Sequence, residues 1–214
     1  MKRKPRLAIF VHHPQCEIPS AHGIAKALWP IAKVDYVDQK DLVPHRLGRY
    51  DMLAVPGGLG DADSWYRIML PYADSVRNYV AQGGKYLGIC MGAYWAGAEY
   101  FGLLHNQEPV QWIKRPRADV KRSWPTTADV DWLGRKERMY FYDGCAFIGT
   151  GRAKVVARYS NGDTAALIQR RVGVIGPHPE SDQHWYDRSH LAPHWHQEHH
   201  RALLQEFAKC LLNQ

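Results

Sequence analysis

A cysteine between two glycines is the feature of this sequence best suited to chemistry. The apolar run Tyr86-Leu87-Gly88-Ile89 leads into Cys90, and a helix-forming segment covers residues 93–99. A strand that turns sharply into a helix leaves no room for side chains beside the turn, so glycines belong there. At the start of a helix, free N–H groups and the helix dipole favour a thiolate over a thiol. The pattern therefore predicts a nucleophile, and the alternative is a small buried hydrophobic residue.

A histidine and a glutamate two residues apart form the second reactive pattern. His178-Pro179-Glu180 follows the apolar run Val172–Ile175, which we interpret as a buried strand. Pro179 biases His178 toward extended backbone, in which residues two apart face the same way. The carboxylate can then hold one ring nitrogen while the other faces a thiol, as in catalytic triads. The alternative is a loop histidine beside a solvated glutamate.

A glycine pair forms the third pattern. Pro56-Gly57-Gly58 follows the apolar run Met52–Val55. Two glycines after a strand let backbone N–H groups point into the space above a neighbouring strand. Together with the N–H of Met91, such a group could form an oxyanion hole. A tight turn without a chemical role is the alternative interpretation.

In their order along the chain, these motifs resemble the class I glutamine amidotransferase superfamily. A narrower resemblance is to the amidotransferase-like N-terminal domain of biotin–protein ligases. It is carried by residues 88–94 (GICMGAY), 140–147 (YFYDGCAF), 157–162 (ARYSNG) and 176–180 (GPHPE). No glycine- and arginine-rich biotinyl-adenylate loop is visible, so we do not expect biotin ligation.

The resemblance implies a role for each motif residue. It assigns Cys90 as the nucleophile, His178 as the base and Glu180 as the acid that orients the base. It also assigns the backbone of Gly58 and Met91 to the oxyanion hole.

The sequence departs from the family at its substrate pocket. Glutamine-using members have a glutamine four residues after the cysteine, where this chain has Tyr94, and Gln-Phe before His-Pro-Glu, where it has Gly176-Pro177. We place Gly57 and Tyr94 in the substrate pocket. We expect a small carboxamide or acyl substrate whose identity as glutamine is in doubt.

Composition and patterning favour one α/β domain over residues 1–214. The chain is 45% hydrophobic, enough for a substantial core, and it has no Pro/Ser-rich linker or internal repeat. Apolar runs at residues 7–11, 34–37, 52–55 and 85–89 alternate with helical segments, which predicts a parallel sheet with its ligand site at the carboxyl ends of the strands.

The helical segments and the later strands can also be placed. Helices are predicted over residues 20–28, with Ser20 as N-cap, over 70–81, ending at Gly83-Gly84, and over 197–212. Runs at 138–142, 154–159 and 164–170 predict a β-rich insertion before the histidine strand, with Asn161-Gly162 as a hairpin turn. The resemblance implies the same class I glutamine amidotransferase-like (flavodoxin-like) layered sandwich.

Charge and histidine content raise two further hypotheses. The net charge is +7, partly from the basic cluster Lys114, Arg115, Arg117, Lys121 and Arg122. The cluster lies near Trp112 and Trp124, but no nucleic-acid-binding signature accompanies it, so we favour an anionic small molecule or an acidic partner. Residues 184–200 contain six histidines, yet His196 and His200 lack a metalloenzyme motif, so we expect no metal and no other cofactor.

Compartment is predicted from missing signals. The apolar run after the basic N-terminus is too short for a signal peptide, and no stretch is long enough to span a membrane. Cys16, Cys90, Cys145 and Cys210 show no paired spacing. We expect a cytoplasmic protein.

Three functions remain open. The first is a cysteine-nucleophile enzyme that cleaves a carboxamide through a thioester: an amidase or other hydrolase if water deacylates it, or an amidotransferase subunit if ammonia passes to an acceptor or synthase on another chain. The second is a protease, deglycase or chaperone-like branch of the superfamily, whose members place the acid differently from Glu180. The third is a non-catalytic binding or regulatory module that keeps the same fold.

Overall fold

The computed structural model describes residues 3–12, 18–196 and 198–214, and its strands form one eleven-stranded sheet. The strands are β1 (Arg6–Phe10), β2 (Lys33–Val37), β3 (Met52–Val55), β4 (Lys85–Ile89), β5 (Gln107–Gln111), β6 (Thr126–Trp132), β7 (Arg135–Phe141), β8 (Cys145–Gly149), β9 (Lys154–Tyr159), β10 (Thr164–Gln169) and β11 (Val172–Ile175). The α-helices are α1 (Ile18–Leu28), α2 (Pro44–Leu47), α3 (Ala62–Tyr66), α4 (Ala73–Ala81), α5 (Met91–Tyr94) and α6 (His199–Leu212). Short 3-10 helices cover Gln39–Asp41, Leu70–Tyr72, Trp112–Lys114, Gln183–Tyr186 and Ala192–His194.

The sheet has a parallel part and an antiparallel part. Strands β2, β1, β3, β4 and β11 lie side by side in that order, and all their pairings are parallel. From β11 the sheet continues antiparallel through β10, β9, β6 and β7, while β8 pairs with β10 and β5. The chain between β4 and β11 therefore forms the predicted β-rich insertion before the histidine strand. The predicted α/β layered fold is confirmed.

Two hydrophobic clusters cover the two faces of the parallel part. In β1, Leu7 and Ile9 pack in the cluster that includes buried residues of α1 and α6. The alternate residues Ala8 and Phe10 pack in the cluster that includes α4 and α5. Because both faces of β1, β3, β4 and β11 are covered, these strands consist mainly of apolar residues, whereas the edge strand β2 contains polar residues and is partly exposed.

Two predicted helices differ at their starts. Helix α1 begins at Ile18, so Ser20 lies in its first turn and is not its N-cap. The predicted helix over residues 70–81 begins as a 3-10 helix and becomes α-helical only at Ala73. Its predicted end is confirmed, because Gly83 has φ +112° and its N–H donates to the Val80 carbonyl. Helix α6 begins at His199, and Gln197 lies outside the described residues.

The helix after Cys90 is shorter than predicted. It ends at Tyr94, although residues 93–99 favour helix. The Trp95 ring is fully buried and donates through Nε1 to the Ala62 carbonyl, and the Phe101 N–H turns back to the Trp95 carbonyl. Burial of one large side chain therefore overrides helix propensity here. In the described part of the chain, no helix combines the length and the apolar character needed to cross a bilayer.

Substitution of Gly92 by alanine tests the close approach of α5 to β3. A Cβ at Gly92 would collide with the Val55 carbonyl oxygen, a backbone atom that cannot move away easily. We expect Gly92→Ala to lower the free energy of unfolding by about 2 to 3 kcal/mol, measured by urea denaturation. The control is Gly48→Ala, where φ is −59° and the nearest atom lies 3.2 Å from the added Cβ. Equal losses in the two variants would contradict the described packing.

Candidate active site

The ends of three adjacent parallel strands define the candidate site. Strand β4 lies between β3 and β11, and Gly88 is level with Val55 on one side and with Val174 on the other. All three strands run in the same direction, so the segments that follow them leave the sheet on one side, at the carboxyl ends of the strands. These segments carry Gly58, Cys90 and His178, the residues that the sequence motifs single out.

Cys90 lies in a strained turn between β4 and α5. Its backbone has φ +50° and ψ −107°, a conformation that residues with a side chain rarely adopt. The Cys90 N–H donates to the Ile175 carbonyl at 2.9 Å, and the thiol contacts the Tyr142 carbonyl at 3.6 Å. Met91 is the first residue of α5, so its N–H has no acceptor within the helix. Strain concentrated at one cysteine is typical of nucleophile turns.

His178 and Glu180 form a buried pair. Nδ1 of His178 lies 2.8 Å from Oε1 of Glu180, and the side chains are 3% and 0% exposed. The backbone is not extended as far as Glu180, because the Ser181 N–H turns back to the His178 carbonyl at 3.2 Å. The two side chains nevertheless meet, as the motif predicts. Nδ1 is occupied by the carboxylate, which leaves Nε2 as the ring nitrogen available to Cys90.

The electrostatic environment favours a protonated His178 ring. Burial alone would lower the pKa of His178. The charge of Glu180, the charge of Cys90 and hydrogen bonds to both side chains outweigh burial and raise the pKa of His178 well above its usual value. The raised pKa favours the protonated form of the ring. This is the electrostatic arrangement that activates a cysteine nucleophile.

The His178 ring is enclosed by the backbone and by aromatic side chains. A Cβ at Gly57 would lie 2.7 Å from Cε1 of His178, so a glycine is needed there. Tyr140 and Trp185 contact the ring by their edges, with centroids 5.8 and 5.3 Å away. The His178 N–H donates to the Tyr140 carbonyl at 2.9 Å, which connects His178 to β7. The imidazole is therefore fixed in position by two distant parts of the chain.

One polar residue that bonds to Glu180 belongs to none of the sequence motifs. Ser20 is fully buried, and its hydroxyl lies 2.7 Å from Oε1 of Glu180 and 3.0 Å from the Gly57 nitrogen. The sequence signal that was available, an isolated serine near a helix start, points to an N-cap instead. We expected Gly57 in the substrate pocket, but it is not among the residues that line the cavity beside Cys90.

A cavity of about 640 Å³ opens beside Cys90. Gly58, Met91 and Tyr94 are among the residues that line it. The Tyr94 hydroxyl donates to the Asp143 carbonyl at 3.2 Å, and burial raises the pKa of the Asp143 carboxyl. The charged residues of the lining are mostly acidic: Asp61, Asp63, Glu99, Glu108, Asp143 and Lys114. The cavity is acidic although the chain as a whole is basic.

The basic cluster does not form an aromatic and basic surface. Trp112 is fully buried, where it stacks on Tyr159 with ring centroids 4.0 Å apart. Arg115 pairs with Asp163 through two hydrogen bonds. Trp124 is exposed but stacks on His190. Only Lys114 of the cluster lines the cavity beside Cys90.

The histidine-rich segment forms a packed cluster. His196 and His200 stack with their centroids 3.9 Å apart, and His200 contacts Glu137 at 3.2 Å. Burial is the main cause that lowers the pKa of His196 to about 4. Among residues 3–12, 18–196 and 198–214, no group of three or more His, Cys, Asp or Glu side chains is arranged to hold a metal ion.

Comparison with known proteins shows similarity to one family over part of the chain and a common fold over all of it. Residues 22–107 match the family described as the N-terminal part of biotin–protein ligase. The matched part includes Gly58 and Cys90 and ends before His178. A glutamine amidotransferase from Thermotoga maritima has a TM-score of 0.71, with 100% of both chains covered and 13% identity, which shows a common fold.

Two relatives are similar in sequence. An uncharacterized protein from Chlamydia muridarum is 32% identical over 160 residues, which span 60% of this chain and 60% of that protein. The PurQ subunit of phosphoribosylformylglycinamidine synthase from Leptospira interrogans is 28% identical over 183 residues, which span 72% of this chain and 83% of the subunit.

Alkylation by iodoacetamide tests the pairing of Cys90 with His178. In a background of Cys16→Ala and Cys210→Ala, Cys90 is the reactive thiol, because burial raises the pKa of the remaining Cys145. At pH 6 we expect His178→Ala to slow labelling about tenfold or more, since it removes the positive charge beside the sulfur. The difference should narrow above pH 9, where an ordinary thiol ionises. His45→Ala, an exposed histidine in α2, is the control, and equal rates in all three proteins would reject the pairing.

Proposed function

We propose that this chain, a class I glutamine amidotransferase-like protein, is an enzyme that cleaves a small carboxamide or related acyl group with Cys90 as nucleophile. The observation that carries the proposal is a buried pair beside Cys90. Nδ1 of His178 lies 2.8 Å from Oε1 of Glu180, a Cβ at Gly57 would lie 2.7 Å from the His178 ring and 3.5 Å from the Cβ of Cys90, and Cys90 lines a cavity large enough for a small molecule. Neither the fold nor the thiol alone would support a reaction.

The proposed reaction begins with attack of the Cys90 sulfur on the amide carbonyl carbon. The N–H groups of Gly58 and Met91 stabilise the negative charge that develops on the carbonyl oxygen. The C–N bond then breaks, and the His178 imidazolium donates its proton to the leaving nitrogen, which departs as ammonia. The acyl group remains on sulfur as a thioester.

Water completes the proposed cycle. His178, now neutral, accepts a proton from a water molecule that attacks the thioester carbonyl. The C–S bond breaks, the carboxylic acid leaves and the sulfur recovers its negative charge beside the protonated ring. Glu180 keeps Nδ1 protonated and stabilises the ring when it is charged, which is the part that the buried acid plays in triads.

Tyr94 supports a substrate other than glutamine. It occupies the position at which glutamine-using members have a glutamine, and its hydroxyl is already used by the Asp143 carbonyl. The phenol ring fills part of the cavity lining and supplies no amide group for hydrogen bonds. The proposal therefore keeps the reaction of the family and changes the side of the pocket that selects the substrate.

The charge of the cavity supports a substrate that is not anionic. Five carboxylates and one ammonium group line the cavity, so an anionic amide would be repelled on entry.

The relative from Leptospira is, by its name, a subunit of a synthase. By analogy, ammonia released at Cys90 could pass to an acceptor held by another chain.

Ammonia release from an amide panel tests the proposed function. We expect at least one primary carboxamide to be hydrolysed, and Cys90→Ala to lower kcat on the order of a thousandfold or more, because no other group forms the thioester. Mass spectrometry of the acid-quenched reaction should show the acyl adduct on Cys90. Turnover that survives in Cys90→Ala, or a wild-type protein that neither releases ammonia nor forms an adduct with any amide or activated ester, would reject the proposal in favour of a binding module.

Three amides of equal length test the effect of cavity charge. We expect kcat/KM to be about tenfold higher for γ-aminobutyramide, a cation, than for succinamate, an anion, with neutral butyramide between them. The ratio should fall as salt is added, because Glu99 and Glu108 are exposed and screened. A double variant Glu99→Gln/Glu108→Gln should lower the ratio at low salt. A preference for the anion would show that Lys114, rather than the carboxylates, selects the substrate.

A further inference from the structure

We propose that Ser20 is a positioning residue that connects the acid of the triad to the oxyanion loop, the segment Pro56-Gly57-Gly58. The inference rests on the proposed function, because it assigns Ser20 a part in the same reaction. Ser20 lies in the first turn of α1, far in sequence from every motif that suggests chemistry. Its side chain is nevertheless fully buried against two of them.

The directions of the two hydrogen bonds of Ser20 are fixed by chemistry. The Gly57 N–H can only donate, so the Ser20 oxygen accepts from it at 3.0 Å. The hydroxyl proton is then free to go to Oε1 of Glu180, 2.7 Å away. A hydroxyl can accept and donate at the same time, and here it does both within the site. One oxygen atom thus connects a backbone amide to a buried carboxylate.

Ser20 holds the carboxylate of Glu180 in one orientation. Oε1 of Glu180 receives two hydrogen bonds, one from Ser20 and one from Nδ1 of His178. Oε2 is buried and has no hydrogen-bond partner in the part of the chain that the structure describes. The side chain is therefore held through Oε1 alone. Without the Ser20 hydroxyl, its single described bond would be the one to the base that it must orient.

Helix α1 also holds the backbone of Glu180. A Cβ at Gly23 would collide with the Glu180 carbonyl oxygen, so the helix and this carbonyl are in close contact. Ser20 and Gly23 are three residues apart and share one helix face. The same helix face thus contacts Glu180 twice. Gly23 packs closely against its main-chain carbonyl, and the Ser20 hydroxyl bonds to its carboxylate.

Ser20 fixes the oxyanion loop at the same time. The Gly57 N–H is its partner, and Gly57 itself lies against the His178 ring. Holding the Gly57 amide anchors the segment from which the next amide, that of Gly58, projects. Ser20 therefore positions the base, through Glu180, and an oxyanion donor, through Gly57, by a single hydroxyl group.

The test measures two reactions with different requirements. Alkylation of Cys90 by iodoacetamide needs the thiolate–imidazolium pair but no oxyanion hole. Amide or activated-ester turnover needs both. We expect Ser20→Ala to lower kcat about 10- to 100-fold with KM changed less than about threefold, because the loss is in positioning. Alkylation at pH 6 should slow only about three- to fivefold. The midpoint of the pH profile of the alkylation rate should rise by about half a pH unit, because Glu180 then stabilises the imidazolium less well.

Two matched variants separate the hydroxyl from packing. Ser20→Thr keeps the hydroxyl, and Ser20→Val has the shape of threonine without a hydroxyl. The Ser20→Thr variant should therefore be at least tenfold more active than the Ser20→Val variant. Ala27→Gly weakens α1 at another buried position and should leave kcat and the pH profile of alkylation unchanged.

The outcomes distinguish this inference from the proposed function. Wild-type kcat and an unchanged alkylation profile in Ser20→Ala would overturn the role of Ser20 even if the enzyme is active. Equal impairment of Thr and Val, or a matching loss in Ala27→Gly, would overturn it in favour of packing. If the wild-type protein shows no turnover, the alkylation profiles of Ser20→Ala, Thr and Val still decide the question for Ser20. Failure of the proposed function is read separately, from Cys90→Ala and His178→Ala.

Discussion

Strand β4 pairs in parallel with β3 on one side and with β11 on the other, and most of the geometry beyond the sheet edge follows from this arrangement. Neighbouring strands lie about 4.8 Å apart, so the segments after them start within reach of one another. The ladder extends one step past β4, where the Cys90 N–H donates to the Ile175 carbonyl. A slip of one residue in β4 would turn Cys90 to the opposite face of the sheet. Register in three short strands therefore decides whether sulfur and imidazole meet.

Burial strengthens the electrostatic contact between His178 and Glu180, and it also makes the pair depend on hydrogen bonds from neighbouring groups. Charges taken out of water are costly unless other groups compensate for the lost hydration. Here the Ser20 hydroxyl, from the first helix, bonds to Glu180, while the Gly57 N–H supports Ser20 and the Tyr140 carbonyl holds the backbone of His178. The low dielectric that strengthens these contacts also keeps the ring close to the sulfur. Rigid polar networks of this kind hold reactive groups in one arrangement.

Much of the fold and the outline of the site can be predicted from the sequence, because both depend on local signals. Glycines beside Cys90 and a proline after His178 restrict the backbone whatever the rest of the chain does. Ser20 escapes prediction, since its partners are distant in sequence and its helix position favours no particular contact. Strand β5 is missed because it contains Pro109, which strands tolerate at an edge, and among the strands that the structure describes β5 pairs only with β8. The acidity of the cavity is missed because its carboxylates come from four different segments of the chain.

The bridge between Tyr140 and His178 gives the antiparallel insertion a mechanical connection to the imidazole. The carbonyl that fixes the His178 backbone belongs to β7, and the Tyr140 ring contacts the imidazole from the same residue. Any displacement of β7 is therefore transmitted to the ring without passing through the parallel strands. Divergence among relatives in this insertion should then displace the imidazole as well as change the surface, whereas divergence at the far parallel edge, in β2, should leave the imidazole in place.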